Sequence, residues 1–466
     1  MKHLVDLRKT IQHKEFRMQD RLNINPDNVR KVLDKHILTD GYDMVLDLKK
    51  SEGAYLLDSK SGKKYLDFFT FFASNPLGMN HPKLAGDDDF VQRLAQVAIN
   101  KPSNSDIYTE DMAQFVDAFD RVGIPDYMPY SFFISGGALA VENAMKVAFD
   151  WKVQKNFEKG YRQEKGHKIL HFEKAFHGRS GYTLSVTNTV HDKVKYFPKF
   201  DWPRVISPAM TYPATQEHIE ATAAQEKIAI AQAERYFEIY KDDIAGILIE
   251  PIQGEGGDRH FRPEFHQALR DLADKHEALL IYDEVQTGVG MTGKFWAHEH
   301  YVKPDLLAFG KKAQVCGILG STRVDDVETN CFHVSSRINS TWGGNLVDMV
   351  RFGRILEVIE EDNLVENAAT VGEHLKSKLE ELADKHEHLS NPRGKGLFCA
   401  IDLPNTHARD HVIKECMANG LMILSCGPNT VRFRPPLTIT KDQIDEGLDI
   451  LEKAYLAKLD ECPVVG

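Results

Sequence analysis

Cysteine is scarce in this sequence. Only six of 466 residues are cysteine, all lie beyond position 315, and no two are spaced as C-x-x-C. A disulfide framework or a zinc site is therefore not expected, and free thiols in a reducing cytoplasm are. Long apolar runs are missing as well. No stretch approaches the roughly 20 residues needed to span a bilayer. The opening segment MKHLVDLRKTIQHKEFR is charged throughout and has no apolar core of a secretory leader. Positive charge is in deficit, with a formal net charge of −11. General binding to nucleic acid or to an anionic membrane needs a basic face, so neither partner is expected. A local basic pocket for a small anion remains open. No internal repeat, low-complexity tract or long disordered linker interrupts the chain.

What is there fits a soluble globular protein: 42% hydrophobic and 27% charged residues, with length for two or three domains at roughly 150 residues each. NVRKVLDKHIL reads as a helix, and GAYLLDSKSGKKYLDFF as two short strands about the turn at residues 59–62. From about residue 105, short apolar strands alternate with helices. YSFFIS, KILHFE, AGILIEP, ALLIYDEV and DLLAFG are the strands, and 222–240 and 263–275 are among the helices. Strands without in–out alternation, spaced by helices, indicate an α/β fold with a mostly parallel central sheet covered on both faces. After residue 345 come two long helical patterns, then GLFCAIDL, GLMILSC and NTVRFRP as a small separate sheet, then a final helix. The expected division is an N-terminal segment at 1–79 packing with the small domain, a large domain at 80–345, and a smaller α+β domain at 346–466.

Ligands of an open α/β sheet sit at the carboxyl ends of its strands. LLIYDEVQTG ends with Asp283 and Glu284, and LLAFGKK with Lys311 and Lys312. An acid and a lysine can meet at one sheet edge. Gly136 and Gly137 in FISGGALAVENA lie between a strand and a helix, where free N–H groups attract an anion. KAFHGRSGYT adds an aromatic, a histidine and an arginine within four positions. Each feature alone has an ordinary explanation: a buried ion pair, a strand–helix turn, a polar loop. Together they supply an anion cradle, an aromatic plate, an acid and a lysine, a set that suits pyridoxal 5′-phosphate. HEH occurs at 298–300 and at 386–388. Two histidines without a supporting acid at helical spacing read as solvated helix residues, so no metal site is expected.

The run LLIYDEVQTGVGMTGKFWAHEHYVKPDLLAFGKK resembles the signature of the class III, or omega, aminotransferases of the fold-type I pyridoxal-phosphate superfamily. Further segments, among them FTFFASNPLGMNHP, NKPSNSD, GGALAVENA, FPKFDWPR, EPIQGEGGDRHFRPEF, RINSTWGGN and VRFRPPLT, are similar to the subgroup that acts on the terminal amine of L-lysine with 2-oxoglutarate as acceptor. Many ω-aminotransferases carry Ser-Gly-[Ser/Thr/Ala]-Glu at the phosphate turn, whereas here Ser135-Gly136 leads into Gly137-Ala138-Leu139. The resemblance implies that Lys311 bonds the cofactor and shuttles the proton, and that Asp283 pairs with the ring nitrogen. It implies Phe176 and Val285 on the two ring faces, His177 beside the cofactor and Gln286 on the phenolic oxygen. Gly137 and Ala138 then hold the phosphate through backbone groups, together with Thr341 of a neighbouring subunit. A homodimer with a shared active site follows. On the substrate side it implies Arg179 for a carboxylate, Glu255 and Arg432 as a switchable pair with Arg434 as an alternative to Arg432, and Glu250 and Phe72 as further contacts. Ornithine and 4-aminobutyrate aminotransferases share nearly all of these residues. A non-catalytic relative that only binds the cofactor is the reading from a different class.

Overall fold

The computed structural model describes residues 24–461. The charged segment at 1–17 and Cys462 lie outside them. β1 (Tyr55–Leu57) and β2 (Lys64–Asp67) form the antiparallel hairpin expected about residues 59–62. The helix expected over 28–38 is shorter: a 3₁₀ turn at Pro26–Asn28 runs into Val29–Leu33 and stops.

The central sheet begins with β3 (Tyr130–Ile134), β4 (Lys168–Phe172), β5 (Arg204–Val205) and β6 (Ile244–Ile249). A two-stranded ribbon follows, β7 (Ile252–Gln253) with β8 (Arg259–His260). The sheet is completed by β9 (Leu279–Asp283), β10 (Leu306–Phe309) and β11 (Cys316–Gly320). Its order is β3-β11-β10-β9-β6-β4-β5. Every neighbouring pair is parallel except those made by β11, which runs antiparallel to both β10 and β3.

The continuous apolar runs reflect burial on both faces. Leu279 and Ile281 of β9 pack with Ala144, Val147 and Ala148 of the helix Gly137–Glu158. Leu280 and Tyr282, pointing the other way, pack with Phe237, Phe265 and Leu269. Leu307 and Phe309 of β10 join Phe115, Phe119 and Phe352 on that second side. Each such side chain, fully buried, contributes about 1.5–3 kcal/mol. Helix starts follow local chemistry. Pro263 opens Pro263–Lys275, where its missing N–H costs nothing.

The chain then forms β12 (Ser390–Lys395), β13 (Phe398–Asp402), β14 (Leu421–Met422), β15 (Leu424–Cys426) and β16 (Thr430–Phe433). Four of these make an antiparallel sheet in the order β12-β13-β16-β15. The helices Leu364–Lys385 and Lys441–Glu461 border it, and Leu375 and Leu448 share a core with Phe398 and Phe433. β14 goes elsewhere. It pairs in parallel with β2, Leu421 opposite Leu66, so the first hairpin and the C-terminal region share one sheet.

His298 departs from its expected solvated place. It is buried, with Nδ1 3.0 Å from Glu284 Oε1 and Nε2 2.8 Å from the Tyr127 hydroxyl. His386 is tied to Glu452 at 2.6 Å. Among the described residues no three His, Cys, Asp or Glu side chains cluster as metal ligands, and no helix is long and apolar enough to cross a membrane. The five described cysteines are free and buried.

Candidate active site

The carboxyl ends of β3, β4, β6, β9 and β10 surround a cavity of about 320 Å³. Gly137, Ala138, Phe176, His177, Arg179, Glu250, Glu255, Asp283, Val285, Gln286 and Lys311 line it, as do Ile252 and Thr287, which the sequence did not single out. β9 and β10 are in register, Asp283 opposite Ala308, and this brings the acid and Lys311 to one edge.

Lys311 lies just past Gly310, in a 3₁₀ turn between β10 and the antiparallel β11. Its φ is 51°, in the left-handed region. Such a backbone costs on the order of 1–3 kcal/mol for a side-chain-bearing residue and persists where the surroundings enforce it. Here Gln314 enforces it, its N–H donating to Lys311 O at 2.8 Å and its Nε2 to Ser74 O at 2.7 Å. Burial lowers the Lys311 ammonium to about 8, with Arg432 and Arg434 adding to the shift and Asp283 and Glu250 opposing it. Lys312 points the other way. It is buried, and its Nζ donates to Gln286 O at 2.6 Å and to Ala73 O at 3.4 Å.

Asp283 is 5% exposed. Its Oδ1 accepts the Val285 N–H at 3.0 Å, and its Oδ2 lies 2.8 Å from His177 Nδ1. A carboxylate only accepts, so Nδ1 carries the hydrogen. His177 Nε2 is buried without a partner among the described residues. Glu250 turns both oxygens onto backbone amides, Phe176 N–H and Gly254 N–H, each at 3.0 Å. Burial pushes its carboxyl up to about 7, with His177 opposing the rise and Asp283 reinforcing it.

The helix Gly137–Glu158 opens on Gly136, at φ 111°, with no side-chain cap and no acid in its first turn. Its free N–H groups make an anion site without a competing carboxylate. The backbone approaches closely here. A Cβ on Gly137 would lie 2.9 Å from Val285 Cγ1, and one on Gly178 only 2.4 Å from Ala138 Cβ. The donor set therefore fits a phosphorylated, flat, aldehyde-bearing ring: an anion cradle, a carboxylate, an aromatic at Phe176 and a half-buried lysine.

Beyond the ring site, Glu255 Oε2 accepts from Arg432 Nη2 at 2.8 Å. Arg432 is buried on β16, and its Nε and Nη1 have no partner among the described residues. Arg434 is turned elsewhere, to Asp258 Oδ1 at 2.6 Å and Gln286 Oε1 at 3.1 Å, with its guanidinium over the Phe398 ring. Arg179 is exposed at the cavity and has no ion-pair partner among the described residues. Three expected site residues do not line this cavity: Arg432, which meets it through Glu255, and two that lie apart from it. Thr341 is exposed on a loop beside Trp342, and Phe72 is 49% exposed, packed edge-on against Phe69. Besides Ile252 and Thr287, a charged residue was missed. Lys193 donates from Nζ to Glu255 Oε1 at 2.6 Å. It comes from a loop 62 residues away, where nothing in the local pattern marks it.

The family model described as aminotransferase class-III matches residues 37–455. An L-lysine-epsilon aminotransferase of Mycobacterium tuberculosis is 52% identical over 431 residues, covering 92% of this chain and 95% of that protein. A protein of the same name from Amycolatopsis lactamdurans is 50% identical over 443 residues, covering 94% and 98%. A solved lysine aminotransferase from M. tuberculosis superposes with a TM-score of 0.91 at 51% identity, covering 93% of this chain and all of that one.

Proposed function

Because the chain belongs to the class-III aminotransferase family, we propose that it transfers the ε-amino group of L-lysine to 2-oxoglutarate, giving 2-aminoadipate 6-semialdehyde and L-glutamate with pyridoxal 5′-phosphate as cofactor. The observation that carries the terminal-amine part of this reading is the Glu255–Arg432 pair at 2.8 Å. It neutralises a buried arginine near Lys311, so the inner end of the pocket receives an amine rather than a carboxylate. The names of the relatives at 50% identity and above support the same donor.

When bound, the cofactor supplies an aldehyde that takes up the amine and a ring that accepts electrons from the carbon losing its proton. Gly137 and Ala138 N–H groups would hold its phosphate, Phe176 and Val285 would lie against its ring, and Gln286 would meet its phenolic oxygen. Asp283, fixed by His177 and the Val285 N–H, would offer its carboxylate to a protonated ring nitrogen. Lys311 Nζ would take the proton from the substrate carbon as general base and give a proton back as general acid. Its lowered pKa leaves a useful neutral fraction near neutral pH. Arg179 holds the distal carboxylate of either substrate.

A homodimer with a shared site belongs to this proposal. Thr341 and Trp342 stand exposed, away from the cavity of their own chain, as residues that serve a second copy would. A cytoplasmic location belongs to it too, supported by the buried free cysteines.

The test is a donor comparison. Holoenzyme is mixed with L-lysine, L-ornithine or 4-aminobutyrate, and the cofactor absorbance is followed in a single turnover. Lysine is expected to react fastest. Faster reaction with either of the others would reassign the donor, and no change with any donor would indicate a cofactor-binding protein without turnover.

The pair also has to open. L-Glutamate presents a carboxylate beside its reacting amine, and Arg432 must then be free to take it. Discrimination of this kind penalises the wrong pose as much as it favours the right one. Glu255→Ala leaves Arg432 permanently available, and the glutamate-to-lysine ratio of single-turnover rates is expected to rise on the order of 100-fold, the scale of truncating one partner of a buried charge pair. An unchanged ratio would refute the switch and leave the transferase assignment standing.

A further inference from the structure

The Glu255 carboxylate is shared by two cations of unequal standing. Arg432, 2% exposed, is fixed on β16, while Lys193, 33% exposed, comes from the 3₁₀ turn His191–Lys193 in the loop that precedes β5. Lys193 Nζ also lies 5.5 Å from the centroid of the Phe176 ring. It therefore joins the carboxylate to the aromatic that lines the cofactor site. Burial alone would raise the Glu255 carboxyl, but Arg432 and then Lys193 hold it below the usual carboxylate range.

A carboxylate with one buried partner is costly to move. Separating such a pair is unfavourable because a charge is left uncompensated. A second cation on the solvent side changes that balance in two ways. It competes with Arg432 for the carboxylate, and it keeps the carboxylate paired once Arg432 has let go. We propose that Lys193 is a positioning residue that receives Glu255 when Arg432 is released, and that it sets how readily the enzyme accepts dicarboxylate substrates. This deepens the switch reading above and rests on it.

The experiment uses holoenzyme and two readouts. The first is the ratio of single-turnover rates with L-glutamate and L-lysine. The second is calorimetric binding of glutarate, a dicarboxylate with no amine to react, which needs Arg432 free but needs no chemistry. In Lys193→Met the glutamate-to-lysine ratio is expected to fall about 10-fold and the glutarate Kd to rise by a similar factor, within the range of coupling between neighbouring charged groups. Lys193→Arg is expected to restore most of both.

The double variant with Glu255→Ala separates the possibilities. With no carboxylate to receive, Lys193→Met should have no further effect on either readout. An equal loss of glutarate affinity in the Glu255→Ala background would show Lys193 attracting the ligand directly, and would overturn the proposal. So would an unchanged ratio in Lys193→Met while Glu255→Ala still shifts it. If Glu255→Ala itself leaves the ratio unchanged, the switch fails and this proposal fails with it.

Discussion

Lys311→Ala is expected to retain the cofactor by its phosphate and ring contacts and to lose turnover by about 10⁴-fold or more, the upper range for removing a positioned acid–base group. No neighbour can replace it. Lys312 is adjacent in sequence, but its Nζ is spent on the carbonyls of Gln286 and Ala73, facing away from the cavity. Borohydride reduction of wild type followed by peptide mapping should therefore label Lys311, and a label on Lys312 would overturn the assignment. Lys312→Ala is expected to behave differently from a surface substitution. It strips a donor from buried carbonyls and leaves a cavity, so a stability loss of about 2–3 kcal/mol is expected with activity per folded molecule largely kept. Denaturant titration reads the first and active-site-normalised rates the second. In wild type, a proton-transfer rate limited by free Lys311 should rise with pH through about 8, where its ammonium gives up its proton, and level off above.

Asp283→Asn is expected to slow the same step by about 10³-fold, the scale of deleting one preorganised charge from a transition state. The substitution keeps the shape and removes the negative charge, so no carboxylate balances a protonated ring nitrogen. It also sets an amide against His177 Nδ1, whose hydrogen now points at Asp283 Oδ2. Glu250 cannot take over, although it lies close enough to shift the same groups. Both of its oxygens are occupied by the Phe176 and Gly254 amides, and its carboxyl is itself raised to about 7. Single-turnover absorbance with lysine tests this. A slowing of less than tenfold would mean that the ring nitrogen does not depend on Asp283.

The parts of this picture visible in the sequence are those with a local signature. β9 and β10 were readable because strands covered on both faces are apolar throughout, and a polar residue just past such a run stands at the ligand edge. That places Asp283 and Glu284, and Lys311 and Lys312, at the ligand edge, and the family resemblance is what selects Asp283 and Lys311. β11 was not. Its sequence, CGILG, contains two glycines and starts a few residues after β10, so it reads as a loop. Only the pairing of Ile318 with Ala308 and Phe132 makes it a strand. His298 was misjudged for a similar reason. HEH looks soluble in isolation, and its burial depends on Glu284, which is distant in sequence and accepts the Ala297 and His298 amides. Lys193 shows the limit most clearly. It is one lysine among several in a loop without periodicity, and its significance comes from a carboxylate that tertiary folding alone brings to it.

The pairing of β2 with β14 has a consequence for how the chain is made. Leu66 and Leu421 sit opposite one another, so the strand made first waits for a partner made about 350 residues later, roughly 20–70 s at ordinary synthesis rates. The central sheet draws on residues 130–320 and can close during that interval. β2 cannot acquire its second neighbour until β14 has left the ribosome. For that time the hairpin presents an unpaired edge, including the Leu66 and Phe68 amides that finally bond Gly420 O and Met422 O. The nascent chain is thus most exposed to wrong strand pairing at its beginning, and release from that hazard comes only near the end of synthesis.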